Sequence, residues 1–215
     1  TFSKLNLNQT NTVAVFDIGC NSNMFNWLGM TAFEGLHGRS LPLAEGIKRA
    51  NSNLTVLAIA GDGGCYGEGG NHFLAAARKN LDMTVLVHDN QLYALTTGQT
   101  SPVTEKGYKT KSTPAGAPDS PINPILVSLA AGAGFVARGF SGDLPHLTDL
   151  IVAAINHKGF SIVDILQPCI TFNSLNTYEW FRKRVYRLEN HNTGNKLEAF
   201  KKAMEWDEKI PLGIF

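Results

Sequence analysis

The chain has 215 residues, 43% of them hydrophobic, with 19 Lys plus Arg against 18 Asp plus Glu. That length suits one α/β domain with a core of its own, and the near-neutral balance argues against nucleic acid or a membrane surface as a partner. Cys20, Cys65 and Cys169 are too few and too scattered for a disulfide framework, which points to the reducing cytoplasm; no apolar run nears the ~20 residues of a spanning helix, and residues 1–11 do not form a signal peptide. The chain opens at Thr1 and meets a strand-like segment almost at once, so an N-terminal piece is expected to be missing.

In chain order, "TVAVFDI" (12–18) predicts a strand, 42–51 a helix, "LTVLAIA" (54–60) a strand, 71–80 a helix and "MTVLVHD" (83–89) a strand. A helix at 123–133, a strand at 134–140, an amphipathic helix at 144–157 and a strand at 160–167 follow. Near-continuous apolar strands separated by helices predict a doubly wound α/β domain, its mostly parallel sheet covered on both faces, over 1–170. Residues 98–122, rich in Gly, Pro, Ser, Thr and Lys, are a lid, a binding loop or a solvated excursion. Residues 171–215, with aromatics and charges interleaved from 176 onward, predict a C-terminal arm packed on the domain or on a partner.

In a parallel sheet the strand-to-helix turns share one rim, where ligands bind. On that rim "GDGGCYGEGGNHF" (61–73) packs glycines around Asp62, and Asn90 stands just past the next strand in sequence. Adjacent strands lie ~4.8 Å apart, so the Asp62 carboxylate and the Asn90 amide oxygen can share one cation. Mg²⁺ takes six oxygens at ~2.1 Å and keeps phosphate and water among them, leaving a third protein position for a carbonyl near Leu92. The N–H groups of Gly63, Gly64, Gly67, Gly69 and Gly70 and a helix starting near Asn71 would face the remaining phosphate charge. A lone Gly-Asp-Gly is an ordinary turn; followed by one helix, one strand and Asp89-Asn90 it matches the thiamine-diphosphate pattern, while the P-loop and dinucleotide motifs are absent.

At this point the sequence resembles the β subunits of 2-oxoacid:ferredoxin oxidoreductases. "DIGC" (17–20) resembles that family's G-I-G-C, and "LHGRSLPLAEGIKRAN" its H-G-R-A-x-P-x-A-x-G-x-K-x-A-N. "GDGGCYGEGGNHF" resembles G-D-G-D-x-x-x-I-G-G-N-H-F, "DNQLYALTTGQTSPVT" resembles D-N-x-x-Y-G-L-T-x-G-Q-x-S-P-T, and "LQPCITFNSLNTYEWFRKRVY" and "IPLGIF" resemble the C-terminal signatures. The resemblance implies thiamine diphosphate with Mg²⁺ on Asp62, Asn90 and the Leu92 carbonyl, and Gly19, Cys20, His37, Gly38, Gly61, Gly63, Gly64, Leu95 and Thr96 near the cofactor. It also implies the reaction: a thiazolium ylid adds to a 2-oxoacid, CO₂ leaves, coenzyme A takes the acyl group, and electrons pass through iron–sulfur clusters to ferredoxin. The glutamate that activates the cofactor is expected from an α subunit with the pyrimidine-binding domain, in an αβ or α2β2 assembly, so no catalytic residue is assigned here; Glu68 is read as a turn residue.

Cys20 follows the first strand and Cys169 the last. The resemblance implies that they are two of four thiolates on a [4Fe–4S] cluster, the other two lying in an upstream C-x-x-C that these residues lack, so ligation is conditional on that missing segment. Otherwise they are small buried hydrophobes, the reading given to Cys65. Asn23 stands where 2-oxoglutarate-specific members often carry a basic residue, and Thr97 where some place a lysine that meets coenzyme A. His72 and His88 are ordinary helix-start and strand-end residues, and His37 is a cofactor neighbour or a hydrogen-bonding structural residue. The alternatives are a non-redox thiamine-diphosphate decarboxylase or synthase subunit and a catalytically silent assembly subunit.

Overall fold

The computed structural model describes residue 5 and residues 7–215; residues 1–4 and 6 of the opening segment lie outside it. The strands are β1 (Thr12–Phe16), β2 (Thr31–Glu34), β3 (Thr55–Gly61), β4 (Met83–Asp89), β5 (Leu92–Tyr93), β6 (Gln99–Thr100), β7 (Phe135–Phe140), β8 (Phe160–Leu166), β9 (Val185–Arg187) and β10 (Ile210–Ile214). The helices are α1 (Ser40–Ala50), α2 (Gly70–Lys79), α3 (Pro124–Ala131), α4 (Leu144–Asn156), α5 (Tyr178–Arg182) and α6 (Lys196–Ala203), with a 3-10 segment at Cys20–Trp27 and a π-helical turn at Gly63–Glu68.

An eight-stranded sheet runs in the order β2-β1-β3-β4-β8-β7-β10-β9. Its neighbours are parallel except β10 on β7. Both faces are covered, which is why the central strands are nearly continuous in their apolar residues rather than alternating. On one face Val13, Val15, Val56, Ala58, Val85, Val87 and Ile162 pack with Leu41 and Ala44 of α1, Phe73 and Ala76 of α2, and Ile125 and Leu129 of α3. On the other, Ala14, Phe16, Ile59, Leu86 and Val163 pack with Leu147, Leu150 and Ala154 of α4 and with Phe25 of the 3-10 segment. Helix starts follow local chemistry: Asn123 Oδ1 accepts from the N–H of Ile125 and Leu126 at 3.1 Å ahead of Pro124, and Asp143 caps α4.

Three regions depart from the sequence expectations or resolve them. The 3-10 segment and the short edge strand β2 were not foreseen, because "CNSNMFNW" has no helical period and β2 is mostly exposed, so neither carries the apolar pattern that marks a core element. Residues 98–122 are an ordered excursion. Tyr108 and Ala117 pair through their backbones, Tyr108 Oη donates to the Phe172 carbonyl at 2.8 Å, and Asn176 donates to Glu105 at 2.9 Å, so the excursion is fastened to the chain beyond β8. The tail contributes two strands to the sheet itself, with Phe181, Ile210 and Leu212 packed on Phe140 and Leu166 beside Trp180 and Trp206.

The sheet centre also holds a buried polar cluster. Tyr66 Oη donates to Asp164 Oδ1 at 2.9 Å, and Arg138 Nε stands 3.6 Å from Asp164 Oδ2 with its guanidinium carbon 5.2 Å from the Trp206 ring centre. Burial pushes the Asp164 carboxyl up, and the Arg138 charge opposes that shift.

Candidate cofactor site

The strand order contains a reversal. From β1 the chain moves outward to β2, then crosses to β3 on the opposite side of β1, so the turns after β1 and β3 diverge and open a crevice at the carboxyl ends of the strands. A cleft occupies that place. It is lined by Gly19, Cys20, His37, Gly61, Asp62, Gly63, Gly64, Asn90, Leu92, Leu95 and Thr96, all singled out in the sequence, and by Ile18, Asn21, Tyr93 and Ala94, which were not. Gly38, also singled out, is not among the lining residues; its N–H donates to the buried Asp17 Oδ1 at 2.7 Å.

Adjacency of β3 and β4 brings the Asp62 carboxylate against the Asn90 main chain. The Asn90 N–H donates to Asp62 Oδ1 at 3.3 Å, and Asn90 Oδ1 accepts from the Leu92 N–H at 3.0 Å. An amide oxygen has two lone pairs, so Asn90 keeps one free. Asp62 is 1% exposed and its Oδ2 has no hydrogen-bond partner. Leaving a buried carboxylate oxygen unpaired costs about 1–3 kcal/mol or more, and burial pushes the Asp62 carboxyl up to about 7. One carboxylate, one amide and a nearby carbonyl are the donor set of a hard, oxygen-loving cation. Among the described residues no group of three His, Cys, Asp or Glu side chains gathers to hold a metal; a site built from one carboxylate, one amide and main chain is of a different composition.

The glycine turn is more helical than expected. A π-turn fills Gly63–Glu68, so the helical N-terminus nearest the cleft is at Gly63 rather than near Asn71. The Gly69 N–H bonds inside this turn to the Gly64 carbonyl at 2.8 Å and is not free for a ligand. Part of the glycine content has a packing cause instead. A Cβ on Gly63 would fall inside the Tyr93 ring, and one on Gly64 would fall on the Asp17 carboxylate.

His37 forms one wall of the cleft. Its Nδ1 stands 3.5 Å from Asp17 Oδ1 and its Nε2 3.3 Å from Glu68 Oε2, and Tyr93 Oη donates to both Glu68 oxygens at 3.1 Å. Glu68 thus ties the turn to His37 and Tyr93 and does not line the cleft. Burial raises the Cys20 thiol, and nearby Cys169 and Asp62 add to the shift. Cys65 is fully buried in the core. Asn23 bonds the Cys20 carbonyl at 3.3 Å, and Thr97 takes a left-handed φ of 79° beside Leu95 and Thr96; neither lines the cleft. His88 pairs with Gln167 at 2.6 Å, a strand-end role.

Asp17 and Tyr93 are the residues that sequence reasoning passed over. Asp17 ends an apolar strand on the ligand rim, a signal that was available. Tyr93 lies within the quoted "DNQLY" and needed only its side chain's direction.

The fold is that of a thiamine-diphosphate enzyme. Residues 14–165 match the family model described as thiamine pyrophosphate enzyme, C-terminal TPP binding domain, and residues 169–215 match the model for the C-terminal part of the pyruvate ferredoxin oxidoreductase beta subunit. The chain is 42% identical to the 2-oxoacid:ferredoxin oxidoreductase 1 subunit beta of Aeropyrum pernix, across 100% of this chain and 71% of the relative. It is 38% identical to the 2-oxoglutarate synthase subunit KorB of Archaeoglobus fulgidus, across 93% and 78%. It also superposes on a chain of the 2-oxoglutarate:ferredoxin oxidoreductase of Magnetococcus marinus, solved with 2-oxoglutarate, coenzyme A and succinyl-CoA bound, with a TM-score of 0.96 at 36% identity over 99% of this chain and 74% of that one. The chain belongs to the family of 2-oxoacid:ferredoxin oxidoreductase β subunits.

Proposed function

We propose that this β subunit holds thiamine diphosphate through a Mg²⁺ ion bound by the Asp62 carboxylate, the Asn90 amide oxygen and the Leu92 carbonyl. With an α subunit that supplies the pyrimidine-binding half of the site, it carries out the CoA-dependent oxidative decarboxylation of a 2-oxoacid in the cytoplasm, with ferredoxin as electron acceptor. The observation that carries this reading is the unpartnered, buried Asp62 Oδ2 in the crevice between the ends of β1 and β3. A cation in the cleft would satisfy that oxygen, and a diphosphate would complete its oxygen ligands.

Bound there, the thiazolium supplies a nucleophilic carbon and an electron sink for decarboxylation. The chain's own residues position and enclose. Gly63 and Gly64 let the main chain approach the ligand closely. His37 and Tyr93, fixed through Glu68, form a polar wall, while Ile18, Leu92, Ala94 and Leu95 keep the neighbouring surface apolar. Cys20 and Cys169 would supply two of the four thiolates of a [4Fe–4S] cluster on the condition that a C-x-x-C outside residues 1–215 supplies the others. The relatives named for 2-oxoglutarate suggest the substrate class. Asn23 in place of a basic residue leaves a second substrate carboxylate without a partner from that position, which favours a broader 2-oxoacid range.

The test is 2-oxoacid-dependent reduction of ferredoxin by the anaerobically purified complex with its α subunit, with and without coenzyme A, alongside iron and sulfide analysis. Reduction that requires both coenzyme A and the 2-oxoacid is expected. Decarboxylation without reduction would establish the non-redox alternative, and a complex that neither binds the cofactor nor turns over would establish the silent subunit.

A further inference from the structure

One carboxylate beneath the cleft has no place in the metal site. Asp17 is fully buried at the end of β1, its Oδ1 takes the Gly38 N–H at 2.7 Å, and its Oδ2 has no partner. That free oxygen lies where a Cβ on Gly64 would be, with His37 Cε1 only 3.2 Å from the same point. Positions 17 and 64 therefore compete for one volume, and only one can carry a side chain.

We propose that Asp17 and Gly64 form a reciprocal pair, in which the missing side chain at position 64 leaves room for the Asp17 carboxylate beside His37, making Asp17 the positioning residue for the His37 wall of the cofactor cleft. Three features support it. Asp17 Oδ1 accepts from the Gly38 N–H at 2.7 Å and stands 3.5 Å from His37 Nδ1, which makes no hydrogen bond of its own, so the Gly38 contact sets the height of the His37-Gly38 turn. Gly38 takes a φ of 70°, and a Cβ there would meet Glu68 at 2.6 Å, so the turn is pressed onto the π-turn and cannot relax outward. Arg39 Nη1 then donates to the Glu68 carbonyl at 3.0 Å, closing the same contact from the exposed side. With both sides fixed, a carboxylate delivered from position 64 would enter the same space from the opposite wall. The pair predicts strong non-additivity, because each single change either empties the volume or fills it twice.

The proposal rests on the cleft being the thiamine-diphosphate site, so the cycle is read in the complex with the α subunit, by cofactor affinity in the presence of Mg²⁺, kcat against KM for the 2-oxoacid, and thermal midpoint. Asp17→Gly is expected to weaken cofactor binding about tenfold or more, and Gly64→Asp to cost at least as much or to prevent folding. Asp17→Gly/Gly64→Asp is expected to recover to within a few-fold of the parent. Asp17→Gly/Gly64→Ala refills space without charge; it should recover thermal stability but leave kcat reduced. Additive effects in the first double variant, its failure to fold, or equal recovery of kcat by the alanine version would overturn the proposal. Absence of cofactor binding in the unaltered complex would instead overturn the assignment of the cleft.

Discussion

Two buried carboxylates a few strands apart are treated in opposite ways. Asp164, in the middle of β8, has Tyr66 donating to one oxygen and the Arg138 guanidinium facing the other, with Trp206 and Phe215 stacked around the cation. Asp62, just past β3, has one oxygen held by a main-chain N–H and the other left open to a cleft. Both sit in a low-dielectric interior where an ionised acid is costly. Neither acid's second oxygen makes a hydrogen bond, but the first has a cation of the chain itself 3.6 Å away and the second faces a cleft. The proposed function reads the acid that faces the cleft as the ligand-binding one and the acid beside Arg138 within the sheet as architectural.

The sharpest way to break this comparison is to remove the internal cation. Arg138→Met leaves Asp164 buried without its counter-charge and should cost about 3–5 kcal/mol in urea unfolding; a loss under about 1 kcal/mol would show that Asp164 is neutral without help. Glycines give a second contrast. Gly63→Ala drives a methyl into the Tyr93 ring and should cost about 1–3 kcal/mol by thermal unfolding. Gly46→Ala, in α1 with open space at its Cβ, should stabilise by about 0.5–1 kcal/mol. Equal effects at the two positions would refute the packing account of the glycine turn.

The smallest expected effect concerns a surface pair. Burial acts to raise the Asp143 carboxyl, but Arg187 Nη2 at 2.6 Å and the His146 N–H outweigh it and hold it below the usual range. Its stabilisation is therefore present above the unfolded-state value of ~3.9 and lost as pH falls through the lower folded-state value. Arg187→Ala should destabilise by less than ~1 kcal/mol at pH 7, and the difference from the parent should vanish in acid. A difference that persists unchanged at low pH would show that Arg187 acts by packing alone.

The parallel sheet was legible because its central strands are nearly continuous in apolar residues, and the nearness of Asp62 to Asn90 because each directly follows one of two consecutive strands. Eleven of the residues lining the cleft were singled out from the motifs alone. What escaped detection had no periodic signal. β2 is four residues long and mostly exposed. The sheet strands of the tail are short, and β10 begins with Pro at its second position, so their pairing with β7 is visible only in three dimensions. The glycine turn carries a double meaning: its glycines were read as phosphate donors, but two of them are equally required by the Tyr93 ring and the Asp17 carboxylate, groups brought there by distant segments.

The most direct test of the whole account is a titration of thiamine diphosphate into the complex with the α subunit, with Mg²⁺ and again with the metal chelated, for the parent and for Asp62→Asn. Saturable binding that needs the ion and is lost at least about a hundredfold in Asp62→Asn, with the fold retained, is the predicted result. Binding that ignores both the metal and the substitution would contradict it.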